Sequence, residues 1–324
     1  MDRSSVIGLL GQDWDKVGEL LRSTLGSDVQ LLDEINMSVL ANSGKMLRPM
    51  LTLLFARICN GGIATEESVK MAAAVEVLHN ATLLHDDVAD DSMTRRGTPT
   101  VMSRLGAVPA VLVGDFWLAS AVSLLQDASD SKWTLKEFSG TLINLAEGEM
   151  LQQQKAFQSD TTVEDYLRII FCKTGSLFVT ACEAGAKSVQ ASSERLNAAG
   201  RYGRAIGMAF QIRDDILDYA GDEKTGKPVG IDLREQKITL PLLGALSSTP
   251  DEAAWRQMIH NIPSNPDYCD CIREFVLENG GVEYASEKLN AYLDEALQAL
   301  EVFPPSPEKD ILVFLAKDNA VRTA

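Results

Sequence analysis

The sequence has few of the features that mark secreted, membrane-spanning or nucleic-acid-binding proteins. Its five cysteines are an odd number, and only Cys269 and Cys271 are closely spaced, which favours free thiols and matches no zinc motif. No apolar run approaches the ~20 residues of a membrane span, and the N-terminus shows no signal-peptide pattern. The net charge of −16 argues against binding to nucleic acid or anionic lipid. We therefore expect a cytoplasmic protein.

Alternating β-type runs are also scarce, whereas apolar residues recur at helical spacing along most of the chain. The 324 residues are enough for one large domain with an ample core. Clusters of glycine and proline separate the helical segments, but none is long enough to be an interdomain linker. These patterns predict a single all-α domain over residues 1–324. The predicted helices cover 13–40, 46–60, 66–87, 108–126, 135–157, 163–186, 193–219, 236–247 and 283–301.

Four aspartates are crowded into one stretch, LLHDDVADDSMTRRG, residues 83–97. On a helix over residues 66–90, Asp86 and Asp90 share a face, with Asp87 beside them and His79 two turns back. Like charges at this spacing destabilise a helix by about 0.2–0.5 kcal/mol per pair, and the C-terminal end of a helix disfavours anions. The arrangement indicates a compensating cation, although a single DDxxD pattern is equally typical of a solvated acidic helix end.

The same pattern returns in FQIRDDILDY, residues 210–219, as Asp214, Asp215 and Asp218. If the two helices face one another, six carboxylates meet at one cavity, and without cations some of them would be protonated. Mg²⁺ is typically held by one or two carboxylates together with water and substrate phosphates. The two motifs therefore predict Mg²⁺ that bridges a phosphate-rich substrate to the protein.

Basic residues stand near both acidic clusters, several of them in segments marked by glycine or proline. Arginine offers a bidentate fork to phosphate, and lysine offers a mobile point charge. Each one alone is more typical of a surface cation, but together they indicate a second anionic substrate that is bound without metal. The apolar run before the first motif would line the space for a greasy tail. The basic residues are Lys45, Arg48, Arg95, Arg96, Lys173, Lys227 and Lys237.

The segments GKMLRP, LLHDDVADDSMTRRG, KTGSLF, FQIRDDILDY and GKPVGIDLREQKITLP, in this order, resemble the trans-isoprenyl diphosphate synthases, or polyprenyl synthetases. The resemblance runs from about Gly44 to Pro241. One departure is Gln236, where members often have glycine. The resemblance implies the isoprenoid synthase fold, with about ten or more helices around a central catalytic cavity, usually in a homodimer. It also implies Mg²⁺-dependent condensation of isopentenyl diphosphate with an allylic diphosphate such as farnesyl diphosphate.

The resemblance further implies a role for each matching residue. The residues that would hold Mg²⁺ on the allylic diphosphate are Asp86, Asp90 and Asp214, supported by Asp87, Asp215 and Asp218. Those that would contact the same diphosphate are Arg95, Lys173, Lys227 and Lys237. Those that would hold isopentenyl diphosphate are Lys45, Arg48, His79 and Arg96. Thr174 and Gln211 would lie near the reacting carbons, and the released diphosphate would accept the proton.

Two small residues before the first motif favour a long product. Ala81 and Thr82 lie five and four positions before Asp86, and one helical turn of about 5.4 Å is close to the length of one isoprene unit. In the family, bulky aromatic residues at these positions block the tunnel. We therefore predict a long-chain, octaprenyl-type enzyme whose product serves as a quinone side chain. A geranylgeranyl-length product is the alternative if a side chain of another helix closes the tunnel.

Two other functions account for part of the pattern. A class I terpene cyclase also uses a DDxxD motif, but its second metal motif is usually an Asn/Ser/Glu pattern. It also has no need for the Lys45, Arg48 and His79 set. A subunit that depends on a catalytic partner usually lacks one or both acidic motifs, and both are intact here.

Overall fold

The described part of the computed structural model, residues 2–221 and 230–321, is almost wholly helical, and the all-α prediction is confirmed. Within these residues, β structure is limited to one short antiparallel pair, β1 (Thr94–Arg95) and β2 (Thr98–Pro99). In this pair Arg95 lies opposite Thr98, and Gly97 takes the left-handed backbone conformation of the tight turn between them (φ 77°). The hairpin follows the first aspartate motif directly.

The described residues divide into two compact units. Unit one comprises residues 2–139, 180–200 and 302–312. Its central helix packs against α2, α4 and α7. The helices that begin in unit one are α1 (Arg3–Leu10), α2 (Gln12–Leu25), α3 (Gln30–Ala41), α4 (Leu47–Cys59), the central α5 (Glu66–Ala89), α6 (Val101–Leu105), α7 (Ala107–Leu125), α8 (Ser131–Gln158), α11 (Ser193–Ala220) and α17 (Pro307–Val321).

Helix α5 owes its length to its sequence. It contains neither glycine nor proline and is rich in alanine, leucine and valine, which are favourable inside a helix or a packed core. Its start is fixed by a reciprocal cap, because the Thr65 side chain accepts from the Ser68 N–H and the Ser68 hydroxyl accepts from the Thr65 N–H. The helix ends at Ala89, so the first aspartate motif occupies its last turn.

Unit two comprises residues 140–179, 201–221, 230–301 and 313–321. In this unit α13 packs against α9, α15 and α16. A π-helical turn, Phe171–Gly175, separates α9 from α10 and carries two of the predicted site residues. The helices that begin in unit two are α9 (Val163–Ile170), α10 (Ser176–Ser188), α12 (Ile231–Arg234), α13 (Leu240–Ser247), α14 (Glu252–His260), α15 (Tyr268–Glu278) and α16 (Gly281–Ala299).

Some predicted helix boundaries differ from the structure. The segment predicted as one helix over 13–40 is broken between α2 and α3, because Gly26 is extended and the Ser27 N–H donates to the Asp33 carboxylate. The segment predicted to begin at residue 236 begins at Leu240. Pro241 stands in the first turn of that helix, where its fixed φ is favourable and no N–H is needed.

Two helical stretches have the length and hydropathy that a membrane span requires, Ala107–Leu125 and Val163–Ser188. In their most apolar windows 33% and 78% of the residues are buried, respectively. Buried core helices of soluble proteins meet the same criterion, so these stretches are weak evidence for a membrane span. The expectation that no segment crosses a membrane stays a prediction.

Candidate active site

In unit one, the side chains predicted to hold isopentenyl diphosphate converge between α4 and α5. The Arg48 guanidinium lies 3.1 Å from the His79 ring, through Nη1 and Nε2. Burial lowers the pKa of Arg48 to about 10, which leaves the side chain charged at neutral pH. Burial, together with the charges of Arg48, Arg96 and Arg95, lowers the pKa of His79 well below its usual value. His79 is therefore a neutral hydrogen-bonding group beside a cation.

Arg96 is held next to the loop that precedes α4. Its Nη1 donates to the Asn42 carbonyl at 2.8 Å, and Gly44 lies against its guanidinium. A Cβ at Gly44 would come within 2.6 Å of the Arg96 guanidinium carbon, and φ at this glycine is +76°. Only glycine fits this position without a shift of the arginine. Lys45 follows at the surface, immediately before α4.

The three aspartates of the first motif have different surroundings. Asp87 is buried and accepts from the Arg95 guanidinium at 2.7 Å. Its burial raises the pKa of this carboxyl, although the Arg95 charge opposes the shift. Asp86 is half-buried, and Asp90 is exposed at the C-cap of α5. The motif therefore turns its central carboxylate toward Arg95 and leaves the outer two more open.

Sequence reasoning missed a buried acid on the same helix. Glu76 is 1% exposed, and its carboxylate accepts from the Asn80 side-chain amide at 3.1 Å. Burial raises the pKa of Glu76 to about 6, against the opposing charge of Arg48. Its spacing three positions before His79 was the available signal, because side chains three apart on a helix are neighbours.

In unit two, the π-helical turn presents Lys173 and Thr174. The Lys173 ammonium contacts the Glu149 carboxylate and donates to the Gln152 side-chain oxygen at 3.0 Å. Gly148 permits this close packing of α8 on the turn, since a Cβ there would lie 2.6 Å from the Cys172 Cβ. Turns of this type are frequent at functional sites. Glu149 and Gln152 were also missed in the sequence.

Thr174 is the first member of a row of hydrogen bonds that leads into the core of unit two. Its hydroxyl donates to Gln211 Oε1 at 2.9 Å, and Gln211 Nε2 donates to Asp215 Oδ1 at 2.9 Å. The other carboxylate oxygen of Asp215 accepts from the Tyr166 hydroxyl at 2.7 Å. Burial raises the pKa of Asp215 well above its usual value, and the nearby Asp232 carboxyl adds to the shift. Tyr166 was missed in the sequence.

The outer aspartates of the second motif line an open cavity of about 280 Å³. The Asp214 carboxylate is 39% exposed and lies 3.1 Å from the Arg213 guanidinium. Asp218 accepts from the backbone N–H groups of Ile231 and Asp232, both at 3.1 Å. The structure therefore shows Asp218 holding the first turn of α12, a contact that the motif alone did not indicate.

Lys237 and the missed Asp232 both line a second cavity, of about 150 Å³. The Lys237 ammonium contacts the Glu235 carboxylate. Burial raises the pKa of Asp232 to about 6, and the Asp218 charge raises it further while Lys237 opposes the shift. Lys173, Gln211 and Asp215 also line this cavity.

Lys227, which was predicted to contact the allylic diphosphate, lies outside the described residues.

The donor atoms of the two motifs suit Mg²⁺. Within the described residues no three acidic, histidine or cysteine side chains are grouped closely enough to hold a metal ion by themselves. Mg²⁺ needs no such group, because one or two carboxylates, water and substrate phosphates complete its coordination. Asp86 and Asp90 share a helix face, and Asp214 borders an open cavity, so both motifs contain the carboxylate oxygens that Mg²⁺ prefers as ligands.

The two residues predicted to control product length lie one turn before the first motif. Ala81 is 1% exposed, and Thr82 is half-buried with its hydroxyl donating to the His79 carbonyl at 2.8 Å. Each motif lies in a different unit, and the role assigned to each site residue stays a prediction, as does a single cavity that both motifs serve.

Comparison with known proteins gives matches over nearly the whole chain. The polyprenyl synthetase family model matches residues 29–275. The all-trans-nonaprenyl-diphosphate synthase (geranyl-diphosphate specific) of Rhodobacter capsulatus is 38% identical, over 97% of this chain and 96% of the relative. The octaprenyl diphosphate synthase of Escherichia coli is 35% identical, over 98% of each chain.

A solved structure is also similar to this chain over nearly its whole length. The polyprenyl synthase of Caulobacter crescentus, complexed with calcium and isoprenyl diphosphate, is 35% identical. Its TM-score is 0.90, over 100% of this chain and 98% of that one. The family and the enzyme class that the sequence predicted are confirmed. The chain belongs to the polyprenyl synthetase family of prenyltransferases.

Proposed function

We propose that this protein is a long-chain all-trans polyprenyl diphosphate synthase, which adds isopentenyl diphosphate head-to-tail to an allylic diphosphate. The observation that carries the proposal is the near full-length match to nonaprenyl and octaprenyl diphosphate synthases in a chain that keeps both aspartate motifs. Farnesyl diphosphate is the proposed primer. The name of one relative specifies geranyl diphosphate, which makes that shorter primer the second substrate to test.

The first chemical task is to release diphosphate from the allylic carbon. Cations aimed at the departing oxygens stabilise the developing charge, an effect worth several kcal/mol in enzymes. Mg²⁺ bound through Asp86, Asp90 and Asp214 would supply most of this neutralisation. Arg95, Lys173, Lys227 and Lys237 would add the remaining positive charge.

The second task is to stabilise the allylic cation that remains. Thr174 and Gln211 offer oxygen dipoles beside the π-helical turn, and the hydrogen bond between them holds both side chains in place. The surrounding Ile169, Ile170 and Ile238 line the neighbouring cavity with apolar surface. Such a surface would keep water away from the cation.

The third task is to bind isopentenyl diphosphate and to accept a proton after the new bond forms. Lys45, Arg48 and Arg96 would supply positive charge to its diphosphate, and neutral His79 would supply a hydrogen bond without charge. No described side chain of the site has an evident role as the general base. The released diphosphate would accept the proton.

The proposed assembly is a homodimer in the cytoplasm, and its product would serve as a quinone side chain. Several apolar side chains of α7 are exposed at helical spacing, including Val108 (71%), Leu112 (61%) and Val122 (47%). An exposed apolar stripe of this kind is typical of an interface between subunits. Analytical ultracentrifugation of the purified chain tests this part of the proposal.

The decisive experiment is product analysis. Purified protein is incubated with Mg²⁺, radiolabelled isopentenyl diphosphate and either farnesyl or geranyl diphosphate, and the dephosphorylated products are separated by length. We expect a ladder that extends well beyond geranylgeraniol and that disappears when EDTA removes the metal. A product that stops at geranylgeraniol contradicts the long-chain assignment. Hydrocarbon made from the allylic substrate alone indicates a cyclase, and no incorporation indicates dependence on a partner subunit.

A further inference from the structure

The described part of unit two contains a buried tyrosine that lines the same cavity as Lys173 and Gln211 and is hydrogen-bonded to Asp215. Tyr166 is 3% exposed and lies on α9, one turn before the π-helical turn that carries Lys173 and Thr174. We propose that Tyr166 is a positioning residue: through Asp215, it fixes the orientation of the Gln211 amide for the prenyl transfer. This inference rests on the proposed function.

The geometry joins four side chains in one row. The Tyr166 hydroxyl donates to Asp215 Oδ2 at 2.7 Å, and the Gln211 amide nitrogen donates to Asp215 Oδ1 at 2.9 Å. At the far end, the Thr174 hydroxyl donates to the Gln211 amide oxygen at 2.9 Å. All four residues belong to unit two, and Asp215 is 4% exposed.

Asp215 decides which way the Gln211 amide faces. Its Oδ2 accepts from the Tyr166 hydroxyl and its Oδ1 accepts from the Gln211 amide, so Asp215 has the NH₂ end of that amide as its neighbour. The oxygen end of Gln211 must then face away from Asp215, toward Thr174. Thr174 in turn has its hydroxyl hydrogen committed to that oxygen, so its own lone pairs stay available on the other side.

The Tyr166 hydroxyl holds the carboxylate in the rotation that this arrangement requires. Without the hydroxyl, Asp215 Oδ2 would be a buried acceptor without this donor, which costs free energy. The carboxylate would then rotate to accept from another donor, and its hydrogen bond with the Gln211 amide would weaken. The start of α9 is itself fixed by a reciprocal cap between Thr162 and Asp165, so Tyr166 approaches Asp215 from a rigid element.

The orientation matters because of the charge that the reaction creates. An amide oxygen aimed at an allylic cation lowers its energy, whereas an amide N–H in the same place raises it. A row that selects one face of Gln211 therefore acts on kcat and leaves ground-state binding of the two diphosphates nearly unchanged. The sequence motif identifies Gln211 but carries no information about which of its ends faces the reaction.

The first test compares two conservative variants with a matched control. Tyr166→Phe removes only the hydroxyl, and we expect kcat for chain elongation to fall about tenfold with little change in KM for either substrate. Asp215→Asn presents an NH₂ group, which favours a Gln211 amide turned with its oxygen toward residue 215. We expect a larger fall in kcat, about 100-fold. Tyr202→Phe removes a phenol hydroxyl from another buried tyrosine of unit two, and we expect kcat within about twofold of the parent.

A double-mutant cycle separates positioning from a general loss of stability. If Tyr166 acts through Gln211, Tyr166→Phe has no further effect on kcat in a Gln211→Ala background. Additive losses of kcat, or an equal fall for Tyr202→Phe, would overturn the proposal. A rise in KM without a change in kcat would also overturn it.

An activity-independent measurement keeps this inference distinct from the proposed function. The Gln211 side-chain NH₂ signal is identified in the NMR spectrum by its loss in Gln211→Ala, and its hydrogen exchange is compared between the parent and Tyr166→Phe. We expect faster exchange in Tyr166→Phe and no change in Tyr202→Phe. If exchange is faster in Tyr166→Phe but the parent makes no polyprenyl product, the proposed function is refuted and the role of Tyr166 in holding Gln211 is supported. If exchange is unchanged in Tyr166→Phe, the role of Tyr166 in holding Gln211 is refuted.

Discussion

The two aspartate motifs have the same spacing, but their central aspartates are held in different ways. Asp87 is buried against a cation, the Arg95 guanidinium. Asp215 is equally buried but accepts from two neutral groups, the Tyr166 hydroxyl and the Gln211 amide. In both motifs the first aspartate is more exposed than the central one.

This difference shows that three aspartates in a DDxxD pattern are not three equivalent metal ligands. Positions one and five of the pattern share a helix face, and the second position turns about 100° away from the first. In each motif that rotation carries the central carboxylate into the protein, where it organises its neighbours. In unit one it holds Arg95, and in unit two it orients Gln211.

The largest expected effect comes from the outer aspartates. We expect Asp86→Asn and Asp214→Asn each to lower kcat by roughly 10³-fold, because each removes a carboxylate proposed to hold Mg²⁺. The helical content should be unchanged, since neither side chain is fully buried. Steady-state kinetics over a range of Mg²⁺ concentrations measures the loss, and partial recovery at high Mg²⁺ identifies a weakened metal site.

Asp91→Asn is the matched control for the first motif. Asp91 is exposed next to Asp90 and lies outside the predicted metal set, so its loss of one negative charge should leave kcat within about twofold of the parent. A fall in Asp91→Asn that equals the fall in Asp86→Asn would assign the effect to local charge and contradict the metal-ligand assignment.

The central aspartates provide the next contrast. We expect Asp87→Asn to destabilise unit one by about 2 kcal/mol, because it weakens a charge-assisted hydrogen bond to Arg95. It should also raise KM for the allylic diphosphate, since Arg95 would lose the anchor that holds its guanidinium. Asp215→Asn, by contrast, should act mainly on kcat. Urea unfolding and substrate titrations of Asp87→Asn and Asp215→Asn test this difference. An equal rise in KM for the allylic diphosphate in both variants would contradict it.

We expect product length to change with substitutions on α5, the helix of the first motif, and not with substitutions on α11, the helix of the second. Ala81→Tyr should shorten the product, because the growing tail is proposed to run from Asp86 toward the start of α5. Ala74 lies two turns earlier, about 10.5 Å along the axis, so Ala74→Tyr should permit about two more isoprene units than Ala81→Tyr.

Both alanines are fully buried, so circular dichroism must first confirm that each tyrosine variant is folded. On the second motif's helix, the residue four positions before Asp214 is the bulky Phe210, whose ring centroid lies 5.9 Å from that of Phe178. Folded variants that make products of the parent length would show that the tail does not pass Ala81.

The smallest expected effect is on the pH dependence of stability. The pKa of Glu76 is raised from 4.5 to about 6 in the folded protein, so ionisation favours the unfolded chain and stability is lost as pH rises between these values. A shift of this size corresponds to about 2 kcal/mol. Glu76→Gln cannot ionise, and the difference in unfolding free energy between it and the parent should therefore rise by about 2 kcal/mol from pH 4.5 to pH 7.

Urea unfolding at several pH values gives this difference directly. Glu67→Gln serves as the control, because Glu67 stands at the start of the same helix and accepts hydrogen bonds from Ser129 at the surface. A constant difference for Glu76→Gln across the pH range would show that burial does not shift the pKa of this carboxyl.

Much of the fold was predictable from local pattern. The apolar spacing of residues 66–87 identified α5 almost to its last turn, because this signal acts within a few residues. Other features were not read from the apolar pattern. The break between α2 and α3 follows from Gly26 and from the Asp33 carboxylate, which accepts from the Ser27 N–H six residues earlier, and α17 was not predicted at all.

In the candidate site, too, some features were predictable from the sequence and others depended on the tertiary structure. The sequence by itself determined the family and the residue types of both aspartate motifs, because i, i+4 spacing and adjacent basic residues are local properties of the chain. The tertiary structure alone decided that Asp87 faces Arg95, that Asp215 faces Tyr166, and that Glu76 is buried near Arg48. These partners come from other helices or turns, and burial at their meeting points sets both the pKa of each carboxyl and the direction of each hydrogen bond.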